Sequence, residues 1–172
     1  MVVVQQGDSE QPWTAGTLPV VVVLDNLRSA YNVGNIFRVA EATRAEKIIA
    51  CGYTAAPPHE KLEKTARGCD RLVPCEHAET SAEAVRALQA QGYHVYAVET
   101  VQEAPLYWEA EIAFPAALVL GNEALGIAPD ALELCDGFLA LPALGQKNSI
   151  NVGNCASVIL FDCVRRIGLA KS

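Results

Sequence analysis

The sequence predicts an α/β domain with a mostly parallel sheet flanked by helices. Two observations carry that expectation. Continuous aliphatic runs, of which PVVVVL at residues 19–24 is the longest, lack the alternation of a half-exposed strand. They suit central strands of a parallel sheet, covered on both faces. These runs alternate with stretches of helical period, the pattern of βαβ units, which place ligands at the carboxyl ends of their strands. The length of 172 residues predicts one domain, residues 1–172. With 51% hydrophobic residues and a mean hydropathy of +0.18, it can bury a core without disulfides or metals.

The elements follow in order. Residues 1–18 read as a short leader without periodicity. The run at 19–24 is the first strand, a helical pattern covers 32–44, and a second apolar run spans 47–51. Pro57 and Pro58 mark a turn, residues 59–68 are a short basic stretch, and Leu72 and Val73 predict a short strand. Thr80 with Glu83 forms a capping box that opens a helix through Val85 and Leu88, and Gly92 ends it. Strands are expected at 93–98 and 116–120, separated by an irregular segment at 103–114. Gly121 to Gly126 form a turn, and Pro129 suits the first turn of a short helix. A last strand at 138–141 leads through a polar loop at 142–149 to a carboxyl-terminal helix. That helix carries Val152, Ala156, Ile159, Leu160, Cys163 and Ile167 on one stripe.

The net charge of −7 argues against a dedicated nucleic-acid binder, but its distribution is uneven. Residues 26–71 carry eight basic and five acidic side chains, residues 76–136 one basic and eleven acidic, and residues 137–172 four basic and one acidic. Two mildly basic ends thus flank an acidic middle. If the fold brings the ends together, a local positive patch results despite the total. No apolar run approaches the roughly 18 residues of a membrane span, and residues 1–9 lack the basic start of a secretory signal. The six cysteines lie in apolar segments with no C-x-x-C pair, which points to reduced, buried thiols in a cytoplasmic protein and to no metal.

No G-x-G-x-x-G, G-K-[ST], G-x-S-x-G or H-E-x-x-H occurs. Three polar clusters remain, each after an apolar run. In NVGNIFR at 32–38, Arg38 lies one turn beyond Gly34. It reads either as an arginine extending from an amphipathic helix or as a ligand contact in space that Gly34 leaves open. In LGNEALG at 120–126, Gly121 permits close approach of a ligand to the backbone, and Glu123 follows in the turn. In LPALGQKNSINV at 141–152, Ser149 or Asn151 is placed to cap the helix or to bind a substrate.

These clusters, as N-x-G-N-x-x-R, L-G-N-E-x-x-G and L-P-x-x-G-x-x-x-S-[LI]-N-V, resemble the three motifs of the SpoU (TrmH-type) RNA ribose 2′-O-methyltransferases of the SPOUT class. They stand in that family's order and spacing, and the likeness covers residues 20–168. The resemblance implies a carboxyl-terminal deep trefoil knot, S-adenosylmethionine as cofactor, a homodimer and methyl transfer to a ribose 2′-hydroxyl of RNA. It implies backbone contacts to the cofactor from Val98, Gly121, Leu141 and Ile150. Asn32, Arg38, Glu123, Ser149 and Asn151 fall on its polar catalytic positions. The family treats Arg38 as essential, often as the base that takes the 2′-proton. A guanidinium with a pKa above about 12 hardly deprotonates. Holding the adjacent phosphate and the developing oxyanion is the physically easier role; both stay open.

Gly153-Asn154-Cys155 departs from the small or apolar residues of relatives, and a glycine there weakens the helix start. The chain carries no amino-terminal RNA-binding domain of the rRNA-modifying kind, which favours tRNA over rRNA as substrate. Beside this enzyme reading stand a catalytically silent RNA- or cofactor-binding module on the same scaffold and an unrelated nucleotide-binding α/β protein. Intact polar positions separate the first from the enzyme, and the missing glycine fingerprints weigh against the second.

Overall fold

The computed structural model describes residues 16–101 and 104–168; most of the expected leader lies outside them. Six strands form one sheet: β1 (Leu18–Asp25), β2 (Ala45–Cys51), β3 (Cys75–Ala78), β4 (His94–Val98), β5 (Ala116–Leu120) and β6 (Gly137–Leu139). Their order is β3-β2-β1-β5-β4-β6, and every pair is parallel. The register places Val22 opposite both Ile48 and Leu118, so the VVVV run is the centre of the sheet.

Alternate residues of β1 feed two cores. Val20, Val22 and Leu24 face α1 (Ala30–Thr43), α2 (Glu60–Ala66) and α5 (Val152–Ile167). Val21 and Val23 face α3 (Ser81–Ala90) and α4 (Pro129–Leu132). This two-sided burial is why β1 shows no polar alternation. It also sorts the charge. The helices of the two basic segments, α1, α2 and α5, share one face, and α3 and α4 of the acidic middle lie on the other.

Local signals act as the residues dictate. Thr80 Oγ1 accepts from Glu83 N–H at 3.2 Å and opens α3, and Pro129 stands in the first turn of α4. The basic stretch at 59–68 contains α2, capped by His59, which buries Leu62 and Ala66. One expectation needs correction. The strand expected at Leu72 and Val73 lies farther on, at β3, after a single 3-10 turn at Cys69–Arg71. Leu72 is exposed, whereas β3 pairs with β2 through Ile48 and Cys75. The six cysteines are unpaired, but only Cys51 and Cys163 are fully buried; the other four are half-buried. No helix among the described residues is long and apolar enough to cross a membrane.

Candidate active site

The carboxyl ends of β4, β5 and β6 turn into loops that surround a cavity of about 610 Å³. All four expected cofactor residues, Val98, Gly121, Leu141 and Ile150, line it, as do Glu123, Ser149 and Asn151. Leu120, Leu139 and Val152 add apolar wall. Cys155 also lines it, and burial pushes its thiol up, so it stays neutral.

Glu123 is an organiser of the backbone. Its Oε2 accepts from Arg28 N–H at 2.8 Å, and its Oε1 accepts from Ser29 N–H at 3.1 Å and from the Asn32 amide at 3.0 Å. Partial burial pushes its carboxyl up, but these donors outweigh that and hold it below the usual carboxylate range. The carboxylate thus fastens the β5 turn to the start of α1, where Ser29 caps Asn32 N–H. The Asn32 amide is in turn the acceptor of Asn151 Nδ2 at 3.2 Å. Of the two capping candidates, Asn151 is the cap: its Oδ1 accepts from Gly153 and Asn154 N–H and opens α5.

Arg38 is not in this cavity. It is exposed on α1 and lines a second hollow of about 420 Å³ with Asn35, Val39, Gly153, Asn154 and Ser157. Nor does Gly34 keep space open for a ligand beside it. A Cβ at Gly34 would lie 2.7 Å from Thr65 Cβ and 2.8 Å from the Leu62 carbonyl, so the glycine serves the close crossing of α1 and α2. Gly121 likewise answers to its own chain, since a Cβ there would lie 2.4 Å from the Gly126 carbonyl carbon. Gly153, expected to weaken its helix, is buried beside Asn35, and a Cβ there would meet α1 at ordinary contact distance, 3.6 Å from Asn35 Cβ.

Sequence reasoning missed three supporting residues. Asn122 donates to the Asn26 carbonyl and the Tyr53 hydroxyl, both at 2.7 Å, and its Oδ1 accepts from Ala124 and Leu125 N–H. Asp25, fully buried at the end of β1, accepts from Ala128 N–H at 2.6 Å. Glu99 follows directly on β4 at the cavity. The available signal was position: each polar residue stands at the end of an apolar strand or within two residues of it.

The profile of the SpoU rRNA Methylase family matches residues 19–161. The chain is 32% identical over 154 residues to the 23S rRNA (guanosine-2′-O-)-methyltransferase RlmB of Vibrio parahaemolyticus, an overlap of 89% of this chain and 62% of that one. It is 31% identical to the tRNA (guanosine(18)-2′-O)-methyltransferase of Thermus thermophilus, covering 86% of this chain and 75% of that one. It thus spans less than two thirds of the Vibrio relative. The SpoU methyltransferase AviRb of Streptomyces viridochromogenes, solved in complex with AdoMet, superposes with a TM-score of 0.77. That match has 26% identity and covers 88% of this chain and 58% of that one. With the motifs, the parallel sheet and the family profile in agreement over most of its length, the chain belongs to the SpoU rRNA Methylase family.

Proposed function

We propose that the protein is an S-adenosylmethionine-dependent RNA 2′-O-ribose methyltransferase acting in the cytoplasm. One observation carries the reading: Glu123, Asn32 and Asn151, one from each motif, are hydrogen-bonded in series at the mouth of the cavity. The names of the Vibrio and Thermus relatives support it. The cavity suits the cofactor. Its volume is that of a small-molecule site, Leu120, Leu139, Leu141 and Val152 give it an apolar stretch of wall among polar groups, and backbone edges at Val98, Gly121, Leu141 and Ile150 offer donors and acceptors to an adenine. When bound, the cofactor supplies an electrophilic methyl group on a sulfonium.

The chain's own residues then have three tasks. The loop carrying Ser149 and Ile150 covers the cavity and holds the cofactor in one pose. The Glu123–Asn32–Asn151 series fixes the starts of α1 and α5, between which the ribose is aligned with the methyl group. Arg38, beside Asn35, Asn154 and Ser157, takes the phosphate next to the target and steadies the developing 2′-oxyanion.

Arg38 lines a hollow apart from the cavity in one protomer, and α5 exposes Val158 and Phe161 beside it. Both features support a homodimer whose site is completed across the α5 face. Arg166 donates to the carbonyls of Tyr107 and Ala110, which ties α5 against segment 104–114; the knotted path is proposed from the three motifs alone. Of the two RNA classes named for the relatives, we propose tRNA, the class named for the Thermus relative.

Incubating the protein with S-adenosylmethionine and either tRNA or rRNA transcripts, followed by nucleotide-level mapping of 2′-O-methyl groups, tests the reading. A single modified tRNA position is expected. Modified rRNA alone corrects the substrate. Firm binding of S-adenosylhomocysteine with no transfer to any RNA identifies a silent module instead.

A further inference from the structure

Glu99 belongs to none of the three motifs, yet it follows directly on β4 in the wall of the cavity. Its carboxylate is oriented by the backbone: Oε1 accepts from Thr100 N–H at 3.2 Å and Oε2 from Ile127 N–H at 3.3 Å. Each carboxylate oxygen has two lone-pair directions, so one direction on each remains for a ligand. Gly126, at φ +73°, leaves room for it; a Cβ there would lie 2.7 Å from Glu99 Oε2. Glu123, the other carboxylate on the wall among the described residues, is engaged by three N–H donors. Among those residues the wall holds no lysine or arginine. Glu99 is therefore an oriented anion with spare acceptor capacity and no cation in the cavity to satisfy it.

We infer that Glu99 recognises the ribose of the cofactor, accepting hydrogen bonds from the two adjacent hydroxyls of the adenosyl group. The inference rests on the methyl-donor reading above. A carboxylate fork at the end of a parallel strand matches a vicinal diol, the same chemistry by which acidic residues of other α/β sheets take a ribose hydroxyl. The methionyl ammonium is the poorer complement. It brings its own carboxylate, and with no lysine or arginine in the wall to receive that charge, the amino-acid end belongs toward solvent.

Calorimetry separates the possibilities with S-adenosylhomocysteine, its 2′-deoxy and 3′-deoxy analogues and 5′-methylthioadenosine, against wild type, Glu99→Gln and Glu99→Ala. In wild type, losing either hydroxyl is expected to weaken binding about tenfold to a hundredfold, as for a hydrogen bond to a charged group. In Glu99→Ala, S-adenosylhomocysteine and 5′-methylthioadenosine are both expected to weaken by that order, and removing a hydroxyl costs nothing further. The wild-type series reads the contact even if a variant folds poorly. Indifference of wild type to both hydroxyls overturns the inference. So does an equal loss for parent and deoxy ligands in folded variants, which makes Glu99 a brace for the turn at Gly126. Undiminished binding of 5′-methylthioadenosine in the variants assigns Glu99 to the ammonium and overturns it too. If folded wild type binds none of these ligands, the methyl-donor reading itself falls, and this inference with it.

Discussion

Asn151 donates from Nδ2 to Asn32 Oδ1 at 3.2 Å, joining the start of α5 to the start of α1. Both amide orientations are determined by what lies at the two ends. The Glu123 carboxylate can only accept, so the Asn32 NH₂ faces it; Gly153 and Asn154 N–H can only donate, so the Asn151 oxygen faces them. The middle contact then has one donor and one acceptor. Asn32→Ala is expected to cost about 1–2 kcal/mol by leaving both neighbours short of a partner. Asn32→Asp is expected to cost more at neutral pH, because it sets a second carboxylate against Glu123 and removes the donor. Melting temperatures of the two variants check the order, and equal losses would show that Glu123 does not depend on the Asn32 donor.

Glu123 makes stability depend on acid. Its carboxyl, ordinarily near 4.5, is lowered in the fold. A lowered acid contributes stability that is fully present above its unfolded value and is lost as pH falls through the folded one. The difference in melting temperature between wild type and Glu123→Gln is therefore expected to be constant above about pH 5 and to shrink steadily below pH 4.5. A difference that persists unchanged to pH 3 counts against the three N–H bonds as the source.

Gly34 and Gly153 separate two uses of glycine. At Gly34 an added methyl meets Thr65 Cβ and backbone atoms of α2, all under 3.0 Å. The gain in helix propensity of Ala, about 1 kcal/mol, is outweighed by overpacking against an unyielding backbone, and Gly34→Ala is expected to lose about 1–2 kcal/mol net. At Gly153 the nearest atom is the Asn151 amide oxygen at 3.2 Å, which needs to give only a few tenths of an ångström, and no backbone atom of α1 is closer than 4.0 Å. Gly153→Ala is expected to change stability by less than about 0.5 kcal/mol. Chemical denaturation of both variants tests the contrast, and a neutral Gly34→Ala would mean that α1 and α2 part easily.

Much of this was legible because burial leaves a local trace. β1 and β5 are continuous apolar runs since both of their faces are covered, and Thr80 and Pro129 carry their helix signals within four residues. What was illegible depends on distant partners. α2 buries just Leu62 and Ala66, too few for a period, and β3 is a short strand with two exposed residues at the sheet edge. Glu123 was recognisable as a polar turn residue, but its donors lie more than ninety residues away. Gly34 was misread for the same reason: its constraint is a neighbouring helix, which spacing along α1 cannot reveal.

RNA binding is expected to be electrostatic and local. Arg38, Lys61, Lys64 and Arg67 belong to the α1–α2 side, Arg28 to the β1–α1 loop, and Lys147 to the loop over the cavity. Lys64 is already paired with Glu60 at 2.7 Å and contributes less. Affinity for an RNA transcript should fall with salt at a slope reporting only a few phosphates, with each neutralised phosphate adding about −0.7 to −0.9. Fluorescence anisotropy over a range of salt concentrations measures it. A salt-independent affinity, or crosslinks confined to α3 and α4, would refute the arrangement.

Arg38 carries the sharpest test. If it merely extends from α1 into solvent, Arg38→Ala alters stability slightly and leaves methyl transfer intact. If it steadies the 2′-oxyanion and the neighbouring phosphate, the same change should slow the chemical step about a hundredfold or more, as loss of an oxyanion donor does. Binding of S-adenosylhomocysteine should survive, because Arg38 lies outside the main cavity. Arg38→Lys divides the remaining roles. Lysine keeps the charge but loses the planar fork, so a bidentate hold on phosphate predicts poor rescue at every pH. A proton-abstracting role predicts rescue that rises with pH, because an amine can deprotonate where a guanidinium cannot. Single-turnover methylation across pH with wild type and both variants distinguishes the three, and full activity in Arg38→Ala would overturn the mechanism while leaving the fold untouched.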